Sequence, residues 1–373
     1  MARKRRKGRP SFISIILLMV NILVIIATAA AYLSNWVSPD KQWQIAFAGL
    51  ALPLIIAVNF VFILLWLFVR PRFALISLLA LIAGFNIISR FVQLNYPDEF
   101  EKTGKRFEVM SYNAHHFKLW GEYGKPDYKT FDAASTFFAE HRPSLLCLQE
   151  GVINHPVTGN LAGRLRKDLE YDGVYARSYY DGGVSGFIIL HNGQRTGQGE
   201  IRHGDRVFAV YADLEMNGIA FRVYNVHLQS VKLSKEEYVM DNLTPEAYKD
   251  TLFVKGSRQI ARKLKYAFIE RSFQADLLRQ HIENCLLPVV VCGDLNDTPC
   301  SYAYTVTRKG LHDAFVYAGK GFGRTYHGKF PSFRIDYIFA SKDFSVKSFD
   351  IYRKKFSDHY PISSWLEFQE KPL

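Results

Sequence analysis

The 373-residue sequence predicts an α/β protein, a two-sheet α/β sandwich of four layers (αββα), preceded by three transmembrane helices. Three observations predict it. The first 94 residues carry three uncharged runs, Ser11–Val37, Trp43–Val69 and Phe73–Ser89. From Phe107 the pattern changes to short apolar runs rich in Val, Ile, Phe and Tyr, bordered by Gly, Asn and Asp and alternating with helical stretches. Several of those runs end on an acid, an amide or an imidazole.

The chain starts with a basic tail, residues 1–10, holding Arg3, Lys4, Arg5, Arg6, Lys7 and Arg9. A membrane helix needs about 20 mostly apolar residues, so the first two runs qualify by length. The third qualifies if it extends to Leu94. A buried core helix is the alternative for such runs, or for the first a cleaved signal peptide, given the basic start and "ATAAA" at Ala27–Ala31. A second spanning run following within a few residues favours three membrane helices over 11–94. The excess of Lys and Arg marks the cytoplasmic side. The tail and the "RPR" loop at Arg70–Arg72 then lie inside, and three crossings deliver the remainder outside the cytoplasm, as in a bacterial inner-membrane protein with a periplasmic domain. If the third run does not span, the remainder is cytoplasmic.

Charge follows the same division. Of 47 basic and 35 acidic residues, ten basic and one acidic (Asp40) fall in Met1–Leu94. That leaves 37 and 34 for Asn95–Leu373, a net of +3 out of the total +12. The basic balance belongs to the tail, which speaks against a dedicated duplex binder with a basic stripe.

After a linker at 95–105, residues 106–373 form one domain. Its strands are predicted at Phe107–Ala114, Leu145–Gln149, Phe187–His191, Val207–Glu215, Ala220–His227, Leu287–Cys292, Ile335–Ala340 and Val346–Tyr352. Helices are predicted at Lys129–His141, Gly163–Leu169, Ser301–Arg308 and from about Ser257 to Asn284. Strands at hairpin spacing with intervening helices suggest two packed sheets with helices outside. Cys147 and Cys292 fall inside apolar strands, where free Cys acts as a small hydrophobe. Cys285 and Cys300 are the candidate disulfide in an oxidising compartment.

The strand ends carry the chemistry. "EVMSYNAHH" delivers Asn113, "LLCLQE" Glu150, "FRVYNVHLQS" His227, and "VVVCGDLND" Asp294 and Asn296. "FRIDYIFAS" carries Asp336 and "KKFSDHYPI" carries Asp358 and His359. Each alone reads equally well as a turn, a cap or a satisfied core residue. Together, a rigid scaffold presenting polar groups at successive strand ends is how distant sequence builds one site.

In that order these strings resemble the endonuclease/exonuclease/phosphatase superfamily, which includes deoxyribonucleases, sphingomyelinases and inositol polyphosphate 5-phosphatases. The resemblance covers about Phe107–Phe368 and rests chiefly on Gly293–Asp297, Arg334–Ile338 and Ser357–Pro361. It implies a metal-dependent hydrolase of phosphoric esters, with Mg²⁺ as cofactor and Mn²⁺ able to substitute. It implies Glu150 as principal metal ligand, helped by Asp358 and Asn113. Asp294 would deprotonate the attacking water and Asn296 would hold that water or a phosphoryl oxygen. His359, oriented by Asp336, would donate to the phosphoryl group. His227 would contact the phosphate or protonate the leaving oxygen, and "NVHL" departs from the abasic-site endonucleases. "RSFQADLL" looks like the family's Arg-x-x-Gln-Ala helix, so Arg271 and Gln274 would support the site from behind.

The expected partner is a phosphoester substrate: a lipid headgroup, nucleotide or nucleic acid. Membrane tethering favours a membrane-proximal ester, with an extracytoplasmic nuclease as the alternative and an inactive binding module behind it. The interleaved aromatic and basic segment His115–Lys129 could stack on bases, touch headgroups or cover the sheet as a solvated loop. No obligate protein partner is evident.

Overall fold

The computed structural model describes residues 11–95, 106–118, 128–155, 159–231, 251–328 and 333–369. The basic tail, nearly all of the linker and residues 119–127 of the aromatic segment lie outside the described residues.

Two sheets form the sandwich. One runs Phe344–Val346, Ile362–Phe368, Arg106–Asn113, Leu145–Val152, Ser185–His191, Gly173–Ser178, with the short strand Asp350–Ile351 also on Ile362–Phe368. The other runs Leu311–Asp313, Asp336–Ser341, Val289–Asp294, Ile219–His227, Arg206–Met216, Gln194–His203. Strand alternation sends successive side chains to opposite faces, and the cores follow that period of two. Phe107 and Val109 pack between the sheets with Cys147, Val223, Val290 and Cys292. Met110 and Tyr112 turn outward to Phe137 and Phe138 of helix Lys129–His141 and to Leu165 of helix Leu161–Asp168. On the far side, Tyr224, Val226 and Val291 pack on Ala275, Leu278 and Ile282 of the long helix Thr251–Glu283 and on Ala303 and Tyr304 of helix Tyr302–Arg308. The layers are therefore helix, sheet, sheet, helix.

Several strands were not legible in the sequence or were misread, the short Leu311–Asp313 among them. Gln194–His203 is a polar, Gly-containing edge strand, and Gly173–Ser178 is short and half-exposed. Ile362–Phe368 also lacks a strict alternation, with two serines inside it. The run Val346–Tyr352 is divided between Phe344–Val346 and Asp350–Ile351.

The N-terminal segment is a bundle. Helices Phe12–Leu33 and Leu52–Val69 are long and apolar enough to cross a membrane. The third run departs from expectation. It breaks at Gly84 into Pro71–Ala83 and Phe85–Ile88, and Val92–Leu94 then pairs as a strand with Lys320–Phe322. Only two helices, not three, meet the length criterion among the described residues. The second run is also two helices, Pro39–Leu50 and Leu52–Val69, separated at Ala51 just ahead of Pro53.

The bundle is seated on the sandwich. Ser34 Oγ donates to the Cys300 carbonyl at 3.0 Å, and Cys300 Sγ donates to Ala31 O at 3.2 Å. Arg90 donates to Asn35 Oδ1 at 2.8 Å and to Pro299 O at 3.1 Å. Gly49 is required at this junction, because a Cβ there would lie 2.2 Å from Ser34 Oγ and 2.6 Å from Cys300 O. These contacts explain why the expected Cys285–Cys300 disulfide is absent. All four cysteines are free, Cys300 being buried against the bundle and Cys285 lying near Leu287 beyond the long helix.

Candidate active site

The register aligns the chemistry. His227 pairs with Asp294 across a parallel ladder, and Asp294 pairs with Asp336 across the next, antiparallel one. In the facing sheet Asn113 is level with Gln149, which places Glu150 one residue further on. Gly293 makes the approach possible. It adopts φ +145°, and a Cβ would meet Val226 O at 2.0 Å. Glu150 (φ +49°) and Asn296 (φ +53°) both hold left-handed backbone conformations. Such conformations cost about 1–3 kcal/mol and persist where surroundings over-determine them.

Asp294 is wholly buried and fixed at both oxygens. Oδ1 accepts the Asn296 backbone N–H at 2.7 Å, and Oδ2 accepts Asn113 Nδ2 at 3.0 Å. Burial and the neighbouring Asp336 carboxylate raise its carboxyl to about 7, into the range where a base is useful at neutral pH. His359 Nδ1 lies 3.0 and 2.9 Å from the two Asp336 oxygens, and its Nε2 lies 3.8 Å from Asp294 Oδ2. Burial opposes a charge on His359, but Asp336 and Asp294 outweigh it and raise the imidazole to about 10. Asp336 thereby fixes which ring nitrogen faces the cavity. Its own backbone N–H is held by Thr325 Oγ1 at 3.1 Å.

Glu150 lies 3.3 Å from Asn113 Nδ2, and Asp358 lies 2.9 Å from His115 Nδ1. Burial works against ionisation of Asp358, but the His115 hydrogen bond and His359 reverse this and hold it at about 2. Asn113, Glu150, Asp294, Asn296, Asp358 and His359 all line one cavity of about 350 Å³.

His227 is placed differently from the other predicted residues. It is buried behind Glu150, with Nε2 3.4 Å from Glu150 Oε1 and 3.8 Å from Asp294 Oδ2. It opens on an adjoining pocket with Tyr179, Arg206 and Ser230 rather than on the main cavity. Neither ring nitrogen makes a hydrogen bond, and burial drives the imidazole down to about 3. Asn296 also differs in part, since its Nδ2 donates to Leu228 O at 3.1 Å; a side-chain amide has a second N–H and an oxygen to spare.

Arg271 and Gln274 sit behind the site. Arg271 is buried, donates to the Asn296 carbonyl and lies 3.3 Å from Asp297. Gln274 Oε1 accepts the Gln229 backbone N–H at 2.8 Å, two residues past His227.

Several residues at the site were not singled out from sequence. Tyr179 accepts the Glu150 backbone N–H at 2.7 Å, and His116 lies 3.6 Å from Glu150 Oε2. Gln149 and Asn225 bridge the two sheets at 2.7 Å directly beneath. His115 and His116 stand next to Asn113 in the quoted string, but only their consecutive left-handed φ angles (42° and 55°) turn them back to Asp358 and Glu150.

Two donor sets present themselves for a metal ion. Asp294, Asp336 and His359 have ligand atoms within 4.8 Å of one another. His359 is already paired with Asp336 and faces Asp294 at 3.8 Å, so that cluster reads as an ion-paired dyad and base. Glu150, Asp358 and Asn113 offer oxygen donors on the cavity wall, the chemistry Mg²⁺ and Mn²⁺ prefer. The residues present fit such an ion.

Fold and site together define a double-sheet α/β sandwich with a buried carboxylate–imidazole system at its strand ends. The chain belongs to the endonuclease/exonuclease/phosphatase family, whose model matches residues 110–359. Members are hydrolases of phosphoester bonds and generally use divalent metal ions. A second model, described as a domain of unknown function (DUF8431), matches residues 14–91. No curated protein matched. Among solved structures, the human Nocturnin catalytic domain with bound sulfate has TM-score 0.51 and 19% identity, over 73% of this chain and 97% of that one. An endonuclease/exonuclease/phosphatase from Bacteroides vulgatus has TM-score 0.48 and 20% identity, over 72% and 100%. A mannosyl-6-phosphatase from Bacteroides thetaiotaomicron has TM-score 0.48 and 17% identity, over 70% and 100%.

Proposed function

We propose that this chain is a membrane-anchored, Mg²⁺-dependent phosphoesterase that hydrolyses a phosphodiester or phosphomonoester close to the bilayer. The observation that carries the reading is Asp294, held at both oxygens and 3.8 Å from an Asp336-paired His359, on the wall of the cavity that also exposes Glu150 and Asp358. Glu150, with Asp358 and Asn113, would hold the ion, which when bound polarises the phosphoryl oxygens and neutralises their developing charge. Asp294 takes the proton of the attacking water as its oxygen bonds to phosphorus and the ester P–O bond breaks, the departing oxygen taking its proton from solvent. His359 donates Nε2–H to a phosphoryl oxygen, while Asp336 accepts Nδ1–H and holds the ring as the imidazolium. Asn296 orients the water or a phosphoryl oxygen with the part of its amide not spent on Leu228. Arg271 keeps the Asn296–Asp297 turn in place.

His227 takes a positioning role in this scheme in place of the leaving-group acid expected from sequence. An uncharged imidazole behind Glu150, off the main cavity, is poorly sited to protonate a leaving alkoxide. His227→Ala should therefore lower hydrolysis of aryl and alkyl phosphoesters equally; a loss confined to alkyl esters would restore the acid. Glu150→Ala should raise the Mg²⁺ concentration needed for half-maximal rate by tenfold or more, and an unchanged requirement would remove Glu150 from the metal site.

Membrane anchoring is supported by an inversion of polarity. The apolar windows of Phe12–Leu33 and Leu52–Val69 are only 17% and 22% buried, which a soluble core helix would not tolerate. Polar residues point inward among the buried apolar ones. Asn21 bonds Ser77 at 2.8 Å and accepts Trp66 Nε1 at 2.9 Å, and Asn59 bonds Thr28 at 2.9 Å. Helices in lipid use polar side chains in this way. Pro71–Ala83 and Phe85–Ile88 run the chain from the Arg70 end of the bundle to the Ser34 end. That supports a third, broken crossing with the catalytic domain outside the cytoplasm. A reporter active only in the cytoplasm, fused after Leu373, should stay silent; activity would reverse the topology.

A further inference from the structure

The cavity over the catalytic acids has two characters. At one end stand Asn113, Glu150, Asp294, Asp358 and His359. At the other, Ile260, Leu264 and Phe268 follow one another at helical spacing on helix Thr251–Glu283 and are met by Leu50. Leu50 does not belong to the sandwich. It is the last residue of helix Pro39–Leu50, and after Ala51 the apolar helix Leu52–Val69 begins. Phe47, one turn earlier, packs edge-on against Phe268 at 5.2 Å, and Lys265 stacks over Trp43 at 4.8 Å. The N-terminal helices thus supply part of the active-site wall, and the apolar end of the cavity lies where they leave the catalytic domain.

We propose that this end holds the hydrocarbon chain of an amphiphilic phosphoester, drawn from the bilayer with its phosphate at Asp294 and its chain along Leu50, Ile260 and Leu264. The proposal rests on the phosphoesterase reading above and narrows its substrate to a lipid. A nucleic acid fits the same wall poorly. Bases need exposed aromatic faces to stack on, whereas Leu50, Ile260 and Leu264 are aliphatic; the cavity's half-buried rings, Tyr326 and Phe333, belong to the segments next to His359 and Asp336, with Tyr326 5.1 Å from His359. The ring of Phe268 is buried between Phe47 and the guanidinium of Arg271. A sugar phosphate would leave the aliphatic wall uncovered. A chain would cover it and remain continuous with the apolar surface of the bundle, where Leu54, Leu64 and Phe68 are exposed.

The test uses the full chain in dodecyl maltoside micelles with Mg²⁺. Its substrates are two homologous series, alkyl phosphate monoesters and 4-nitrophenyl alkyl phosphodiesters, from methyl to hexyl. Each methylene buried against the wall should raise kcat/KM roughly fourfold, the equivalent of its transfer from water. Leu50→Gln and Ile260→Gln should flatten that dependence on chain length. Leu286→Gln, at a fully exposed site away from the cavity, should keep it. Metal-dependent hydrolysis of the methyl esters with no gain along either series would overturn the lipid proposal and leave the phosphoesterase reading standing. A gain that survives in both Leu50→Gln and Ile260→Gln would overturn the assignment of the chain to this wall. No metal-dependent hydrolysis of any member would overturn the phosphoesterase reading, and this proposal with it.

Discussion

The bundle and the sandwich of this chain obey opposite packing rules. In the sandwich Val109, Cys147, Val223 and Val290 are buried between sheets. In the bundle Asn21, Thr28, Asn59 and Ser77 are buried alongside Trp66 and Phe62, while Phe68 and Leu54 face outward. Burial of apolar area drives folding in water, so the sandwich reads as a domain built for water. In lipid that driving force between helices vanishes, and packing and hydrogen bonds between polar side chains take its place. The two halves meet at Ser34, Gly49, Arg90 and Cys300, where one loop, Asp297–Cys300, belongs to the catalytic turn at one end and to the bundle at the other.

The comparison can be broken at either half. The largest expected effect is at Asp294, the buried carboxylate of the sandwich proposed as the base. Asp294→Asn keeps the size and one of the two accepted hydrogen bonds but removes the base, and should lower kcat by about 10²–10⁴-fold. Next comes the buried pair beneath Asp336. Arg334 meets Asp313 at 3.0 and 2.8 Å with both side chains almost fully enclosed. Asp313→Ala leaves a buried guanidinium without its partner and should cost about 3–5 kcal/mol, measured by denaturant unfolding of the purified protein. In the bundle the signs change. Val61 is 61% exposed near the middle of Leu52–Val69. Val61→Arg should cost about 2.5–3.5 kcal/mol of membrane insertion, seen as loss of the protein from the membrane fraction. A soluble bundle would tolerate it. The smallest effect is expected for Asn21→Leu, which removes one interhelical network and should cost about 0.6–2 kcal/mol in lipid, read as a modest fall in melting temperature in micelles.

Legibility in the sequence follows the same physics. Strands with an apolar inner face, such as Arg106–Asn113 and Val289–Asp294, announce themselves by composition, and so do the residues at their ends. Asn113, Glu150, Asp294, Asn296, Asp358 and His359 do line one cavity, although nothing in their spacing gives the distances. The polar edge strand Gln194–His203 carries no such signal. Nor do Tyr179, His116 or the Cys300–Ser34 contact, because each depends on a partner more than twenty residues away or on a left-handed turn that no residue type specifies. His227 shows the limit most clearly: the motif places a histidine at the strand end, but only the packed site reveals that it stands behind Glu150.

We propose that a lipid-embedded bundle carries a metal-dependent phosphoesterase. It is tested most directly by stripping the full-length protein of divalent ions with excess chelator in micelles, then restoring Mg²⁺ or Mn²⁺, with phosphoester hydrolysis followed throughout. Activity should vanish with the ion, return with either metal, and stay absent in Asp294→Asn. Hydrolysis that continues undiminished in excess chelator would contradict it.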